Sequence, residues 1–193
     1  MSFKVTLPHI REIIKKHNPS SLEYGIPSAV LVPLFEQQGS IHIVFTARGY
    51  DVEHHKGQIS FPGGVVENSD KSFYDTAIRE SYEEIGLMPE DVEILGSLDE
   101  TFVAASKFTI HPVVGIIPEK YEFSIQRKEV DRIITIPINV FFSESNNKKE
   151  CHEYESGRIW HGPTYLFGSD VIWGATARIM DNFMRLIFSD INC

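Results

Sequence analysis

Residues 61–87, FPGGVVENSDKSFYDTAIRESYEEIGL, constrain this chain more than any other stretch. The pair Gly63-Gly64 closes a short β-rich run, where glycine lets the backbone turn sharply and approach another group closely. A helix over about 71–85 follows, with Asn68, Ser69 and Asp70 as candidate N-caps and Gly86, then Pro89, as its stop. Positions three and four apart are neighbours on a helix, so Glu80, Glu83 and Glu84 converge, with Arg79 to one side. Taken alone, three such glutamates read equally as a solvated acidic face or a metal site. The glycine turn favours the metal. Main-chain oxygens at Gly63 or Gly64, with two or three carboxylates, make a hard-oxygen site suited to Mg²⁺ or Mn²⁺. Arg79 would hold one of those carboxylates in position.

The flanking sequence supplies a mixed set of elements. Residues 8–17 read as an amphipathic helix with Ile10, Ile13 and Ile14 on one face. The runs 28–35 and 41–48 read as a hairpin about 36-EQQGS-40, followed by a polar loop over 49–57 and a short strand over 58–61. Further strands are expected at 92–98, 109–117, 133–138 and 158–167, and a last helix at about 170–188. The stripe of that helix comprises Ile172, Ala175, Ile179, Phe183 and Ile187. Residues 143–153, SESNNKKECHE, read as a polar loop. Strands and helices mix without strict alternation, which places the chain in the α+β class, a mixed sheet with helices on its faces.

Composition bounds the function. One domain spanning 1–193 is expected at this length. A net charge of −9 argues against a nucleic-acid polymer as partner, because that needs clustered Lys and Arg. A small anionic substrate is compatible if a bound cation offsets the field. The two cysteines, Cys151 and Cys193, form no CxxC pair, which suits a reducing compartment. No apolar stretch suggests a signal peptide or a membrane span, so a cytoplasmic protein without a membrane partner is expected.

The helix and its glycines resemble the Nudix box, G-x5-E-x7-R-E-U-x-E-E-x-G-U with U aliphatic. Gly64, Arg79, Glu80, Glu83, Glu84, Gly86 and Leu87 match it. Asp70 stands for the first acid, eight residues rather than seven separate it from Arg79, and Ser81 replaces an aliphatic. The longer spacer and FPGG resemble the coenzyme A pyrophosphatase branch. Upstream, Phe45, Thr46, Arg48, Gly57 and 61-FPGG-64 match that branch's motif, with Gly49 and Glu53 as departures. Downstream, 111-HPVVGI-116, 129-EVDRIITIPI-138 and 173-WGATARI-179 are also similar, so the resemblance covers about 28–185 and leaves the first 20 residues aside.

The resemblance implies a Nudix-type α/β/α sandwich and metal-dependent hydrolysis of a nucleoside diphosphate linked to another moiety. Coenzyme A or its derivatives is the first substrate it suggests, and ADP-ribose, a nucleotide sugar or a nucleoside triphosphate is the alternative that Glu53 and Gly49 keep open. A non-catalytic nucleotide-binding module is disfavoured because all three box glutamates are present. Glu80, Glu83 and Glu84, with a main-chain oxygen of Gly63 or Gly64, are the expected metal ligands. Arg79 is the expected support. Glu129 is the candidate extra catalytic glutamate on a loop outside the box, with Glu100 as runner-up. Arg48 is a candidate phosphate contact, since guanidinium offers paired donors. His54 and His55 read as solvated loop residues, and Tyr50, Phe102 and Phe108 as packing rather than base-stacking residues. Trp160 and Trp173 read as structural. A homodimer is left open.

Overall fold

The computed structural model describes residues 5–49, 57–143, 147–153, 157 and 159–189. Tyr50, Glu53, His54, His55 and Cys193, and the side chains of Cys151 and Trp160, lie outside the described residues.

Helix α1 (Leu7–Lys16) begins at Thr6, whose side chain accepts the His9 N–H, and buries Ile10, Ile13 and Ile14 as their spacing requires. Strands β1 (Ile26–Gln37) and β2 (Ser40–Arg48) form the expected hairpin, closed by Gln38 and Gly39 at positive φ. Short strands β3 (Ile59–Ser60) and β4 (Gly63–Val65) lead to α2 (Phe73–Ile85). Strands β5 (Glu93–Ser97), β6 (Thr101–Val103), β7 (Phe108–Ile116) and β8 (Val130–Pro137) complete the main sheet.

The main sheet runs β3-β2-β1-β7-β5, with β4 paired to β1, β6 to β7 and β8 to β2. It is mixed: β1 pairs β7 in parallel, and its other pairings are antiparallel. Strand β1 is buried on both sides, as a central strand must be. Its Ala29, Leu31 and Phe35 join Ala77, Ile85 and Leu87 of the α2 region, while Val32 and Leu34 join α1 and the last helix on the opposite side. The sheet therefore lies between helical layers, the α/β/α sandwich that the sequence implies.

Two expectations fail after residue 142. The polar segment 143–153 is not wholly loop. Asn147–Glu153 forms β9, paired with β10 (Ile159–Phe167), which in turn pairs β11 (Asp170–Ile172) in a second, three-stranded sheet. A charged sequence is tolerated in β9 because it is an edge strand, where charged side chains are common. The last helix, α3, spans Gly174–Ser189 rather than starting near 170. Ile172 is buried as expected, but as a strand residue opposite Tyr165, and Ala175 is only half-buried. Ile179, Phe183 and Ile187 form the buried stripe, with Ala177 and Met180 added.

Candidate active site

Helix α2 is tightly punctuated at both ends. Its N-cap is Ser72 rather than Asn68, Ser69 or Asp70. Ser72 Oγ accepts the Asp75 N–H at 3.2 Å, and the Asp75 carboxylate accepts from Ser72 Oγ and the Lys71 N–H, so cap and first turn hold each other. Asp70 cannot serve as cap because its carboxylate is already engaged elsewhere. At the other end Gly86 takes the left-handed conformation, φ +67°, and the Gly86 and Leu87 N–H groups return to Tyr82 and Ser81 carbonyls. Ser81, where an aliphatic is usual, is buried and donates to the Ala77 carbonyl at 2.6 Å, so it carries no unpaired hydroxyl into the core.

The helix lies over the glycine pair. Strand β4 sets Gly63 opposite Val30 and Gly64 opposite Ala29, and the Glu80 carboxylate fills the space that a Cβ on Gly64 would need. Only a residue without a side chain leaves that room.

Arg79 organises the acids. Its Nε and Nη2 each donate to Asp70 at 3.1 Å, a two-point pairing with a carboxylate whose side chain is only 4% exposed. Nη2 also donates to the Val65 carbonyl at 2.9 Å. Nη1 donates to Glu80 at 2.9 Å and to Glu83 at 3.3 Å, and Glu67 lies 3.8 Å away. Asp70 further accepts from Thr76 Oγ1 and the Glu67 N–H. These donors, Arg79 foremost, hold the Asp70 carboxyl down at about 2. The shorter acid and longer spacer therefore meet the same arginine.

The glutamates differ in environment. Glu83 is half-exposed. Glu80 is half-buried, and burial raises its pKa against the pull of Arg79. Glu84 is 5% exposed, and burial pushes its carboxyl up to about 8. Arg48 and the Gly63 N–H oppose that rise, while Glu80 and Glu129 add to it. Glu129 also acts on Glu80. The structure thus brings Arg48, Gly63, Gly64, Arg79, Glu80, Glu83, Glu84 and Glu129 into one electrostatic cluster. Glu100 is outside it: its carboxylate stands 2.9 Å from His111 Nδ1 and accepts the Leu22 N–H, tying down the segment before β1. Phe102 packs edge-on against Tyr24, consistent with a packing role.

The donor set fits a hard divalent cation. Buried carboxylates that raise one another's pKa are stabilised by a nearby cation, and every donor is oxygen. Among the described residues no three His, Cys, Asp or Glu side chains already stand in ligating arrangement. Arg79 draws Glu80 and Glu83 towards itself.

The sequence did not single out Tyr121 or the role of Thr76. Tyr121 Oη accepts the Met88 N–H at 2.8 Å and donates to the Gly86 carbonyl at 3.1 Å, just beyond α2. Neither contact has a sequence signature, because each joins positions whose spacing follows no helical or strand period.

Known proteins resemble this chain in sequence and in fold. The NUDIX domain model matches residues 25–162. The chain is 35% identical over 159 residues to "Nudix hydrolase 15, mitochondrial" of Arabidopsis thaliana, covering 79% of this chain but 55% of that protein. It thus spans about half the length of the plant relatives it matches. It is 32% identical over 160 residues to the uncharacterized Nudix hydrolase NudL of Enterobacter sp. (strain 638), covering 79% of this chain and 78% of that one. Among solved structures, a MutT/nudix family protein from Enterococcus faecalis aligns with a TM-score of 0.56 at 14% identity, over 95% of this chain and 70% of the other. Among the described residues no helix is long and apolar enough to cross a membrane.

Proposed function

Because this chain belongs to the Nudix hydrolase family, we propose that it is a cytoplasmic, divalent-metal-dependent pyrophosphohydrolase acting on a nucleoside diphosphate linked to another moiety, with coenzyme A or its derivatives as substrate. The observation that carries the reading is the cluster itself, four glutamates and Arg48 gathered at a glycine pair beneath α2. Glu80, Glu83 and Glu84, with a main-chain oxygen of Gly63 or Gly64, would hold Mg²⁺ or Mn²⁺. The metal supplies charge neutralisation of the diphosphate and a more acidic water.

The chain's own residues do the rest. Arg79 spaces Glu80 and Glu83 and, through Asp70, fixes the helix to the loop before it. Arg48 offers its guanidinium to a phosphate oxygen. Glu129, exposed at the rim and close enough to act on Glu80 and Glu84, accepts the proton from the attacking water. The upstream 61-FPGG-64 motif and the longer spacer support coenzyme A. Glu53, at a position usually basic in that branch, supports ADP-ribose or a nucleotide sugar as the second reading.

The test is product analysis by liquid chromatography with coenzyme A, ADP-ribose, UDP-glucose and dGTP, each with Mg²⁺ or Mn²⁺ and with EDTA. Metal-dependent cleavage of coenzyme A to phosphopantetheine and 3′-phosphorylated AMP is expected. Preferential cleavage of another compound replaces the substrate and keeps the site. No cleavage of any diphosphate, by a folded protein, defeats the enzymatic reading.

A further inference from the structure

A helix ends with carbonyls that have no partner inside it. In α2 these are taken by a segment from elsewhere in the chain. The Gln126 N–H donates to the Glu84 carbonyl at 2.8 Å and the Ser124 N–H to the Ile85 carbonyl at 3.0 Å. Tyr121 completes the set through the Gly86 carbonyl and the Met88 N–H. Tyr121, Phe123 and Ile125 turn inward against the core beneath α2, alternating with exposed Glu122, Ser124 and Gln126. A Cβ on Gly86 would stand 2.8 Å from that of Ser124, so the segment lies flush with the helix end. Three residues after Gln126 comes Glu129, whose N–H returns to the Gln126 carbonyl at 2.9 Å and whose carbonyl accepts the Gly49 N–H at 2.8 Å.

We propose that residues 121–129 are a strap that fastens Glu129 to the C-terminal end of the glutamate helix, and that Tyr121 is the positioning residue that anchors it. The hydroxyl is the only side-chain group in this set of bonds, so it can be removed while the two backbone bonds from Ser124 and Gln126 to the end of α2 stay in place. Through this link the end of α2 and the loop carrying Glu129 move as one body, and the distance from Glu129 to Glu80 and Glu84 is kept. The inference rests on the catalytic role proposed for Glu129.

The test is Tyr121→Phe, which keeps the ring beside Phe123 and removes only the hydroxyl. Hydrogen–deuterium exchange of the full chain, without substrate, is expected to quicken over 121–129 and at Met88 while the sheet is unchanged. With the substrate found by product analysis, kcat is expected to fall about tenfold with KM nearly unchanged, since misplacement rather than lost binding is the defect. In a Glu129→Gln background the same substitution is expected to change kcat less than about twofold, because the group being positioned is already gone. Unchanged exchange overturns the strap. A tenfold loss that persists beside Glu129→Gln overturns the positioning of Glu129. A fully active Glu129→Gln overturns it too, while metal-dependent turnover by the wild type would still stand. A wild type inactive on every diphosphate defeats the functional reading and this role with it.

Discussion

Alanine at Gly64 isolates the close approach of helix and strand. A Cβ there would stand 2.5 Å from Glu80 Cδ and 2.8 Å from Oε2, against about 3.4 Å for ordinary contact, so the carboxylate must retreat by about 0.9 Å. What it meets is the far end of a flexible side chain rather than backbone. Stability should therefore change by less than about 1 kcal/mol, with the loss of unfolded-state freedom on replacing glycine offsetting a strained rotamer. The reacting geometry has no such latitude. A misplacement of about 1 Å can lower turnover about 100-fold, or about 2.7 kcal/mol of transition-state stabilisation. Gly63→Ala is the contrast. Its φ is +156°, and a Cβ would stand 2.6 Å from Val30 Cα and 2.7 Å from Val30 Cγ1. Backbone cannot give way as a side chain can, so about 2–4 kcal/mol of stability should be lost. Thermal melts and kcat/KM with Mg²⁺ on both variants distinguish the cases. A Gly64→Ala protein as active as wild type, or as unstable as Gly63→Ala, would refute the reasoning.

Other substitutions probe the charges. Arg79→Lys leaves a point charge in place of a planar fork that reaches Asp70, Glu80, Glu83 and Val65 at once. Stability should fall by about 2–3 kcal/mol and kcat at least tenfold, read by denaturant melts and steady-state kinetics. Asp70 has a folded pKa of about 2 against 3.8 for the free side chain. Its contribution is full above pH 4 and is lost as pH falls from about 4 to 2, so Asp70→Asn should flatten the acid limb of a stability–pH curve in that window. Mn²⁺ at about 100 times its Kd should stabilise the wild type by about 2.7 kcal/mol, and Glu84→Gln should remove most of that rise in Tm. An equal rise in the variant would place the metal elsewhere.

Much of the candidate site was legible because its signals are local. The spacing of Arg79, Glu80, Glu83 and Glu84 defines a helical face before any fold is known, and Gly86 marks where that helix stops. The hairpin 26–48 and the face of α1 follow from the same short-range periodicities. Competing local preferences were harder to rank. Asn68, Ser69, Asp70 and Ser72 can all cap a helix, and Ser72 does so because Asp70 is held nine residues away by Arg79.

Residues 170–172 could have begun α3 by their apolar spacing. Pairing with β10 takes them into a strand instead, because ladder bonds to Tyr165–Phe167 satisfy backbone groups that an extra helical turn would have satisfied within itself. Glu129 was a candidate by resemblance, but its sequence neighbours Arg127 and Lys128 say nothing of where it sits. The fold lays Ser124 and Gln126 against the end of α2, and the Glu129 charge acts on Glu80 and Glu84. Sequence by itself determined which acids share a helix, since that depends on a repeat of 3.6 residues. Tertiary structure decided which arginine and which fourth carboxylate join them, since the free energy of burying and pairing charge depends on distances across the fold.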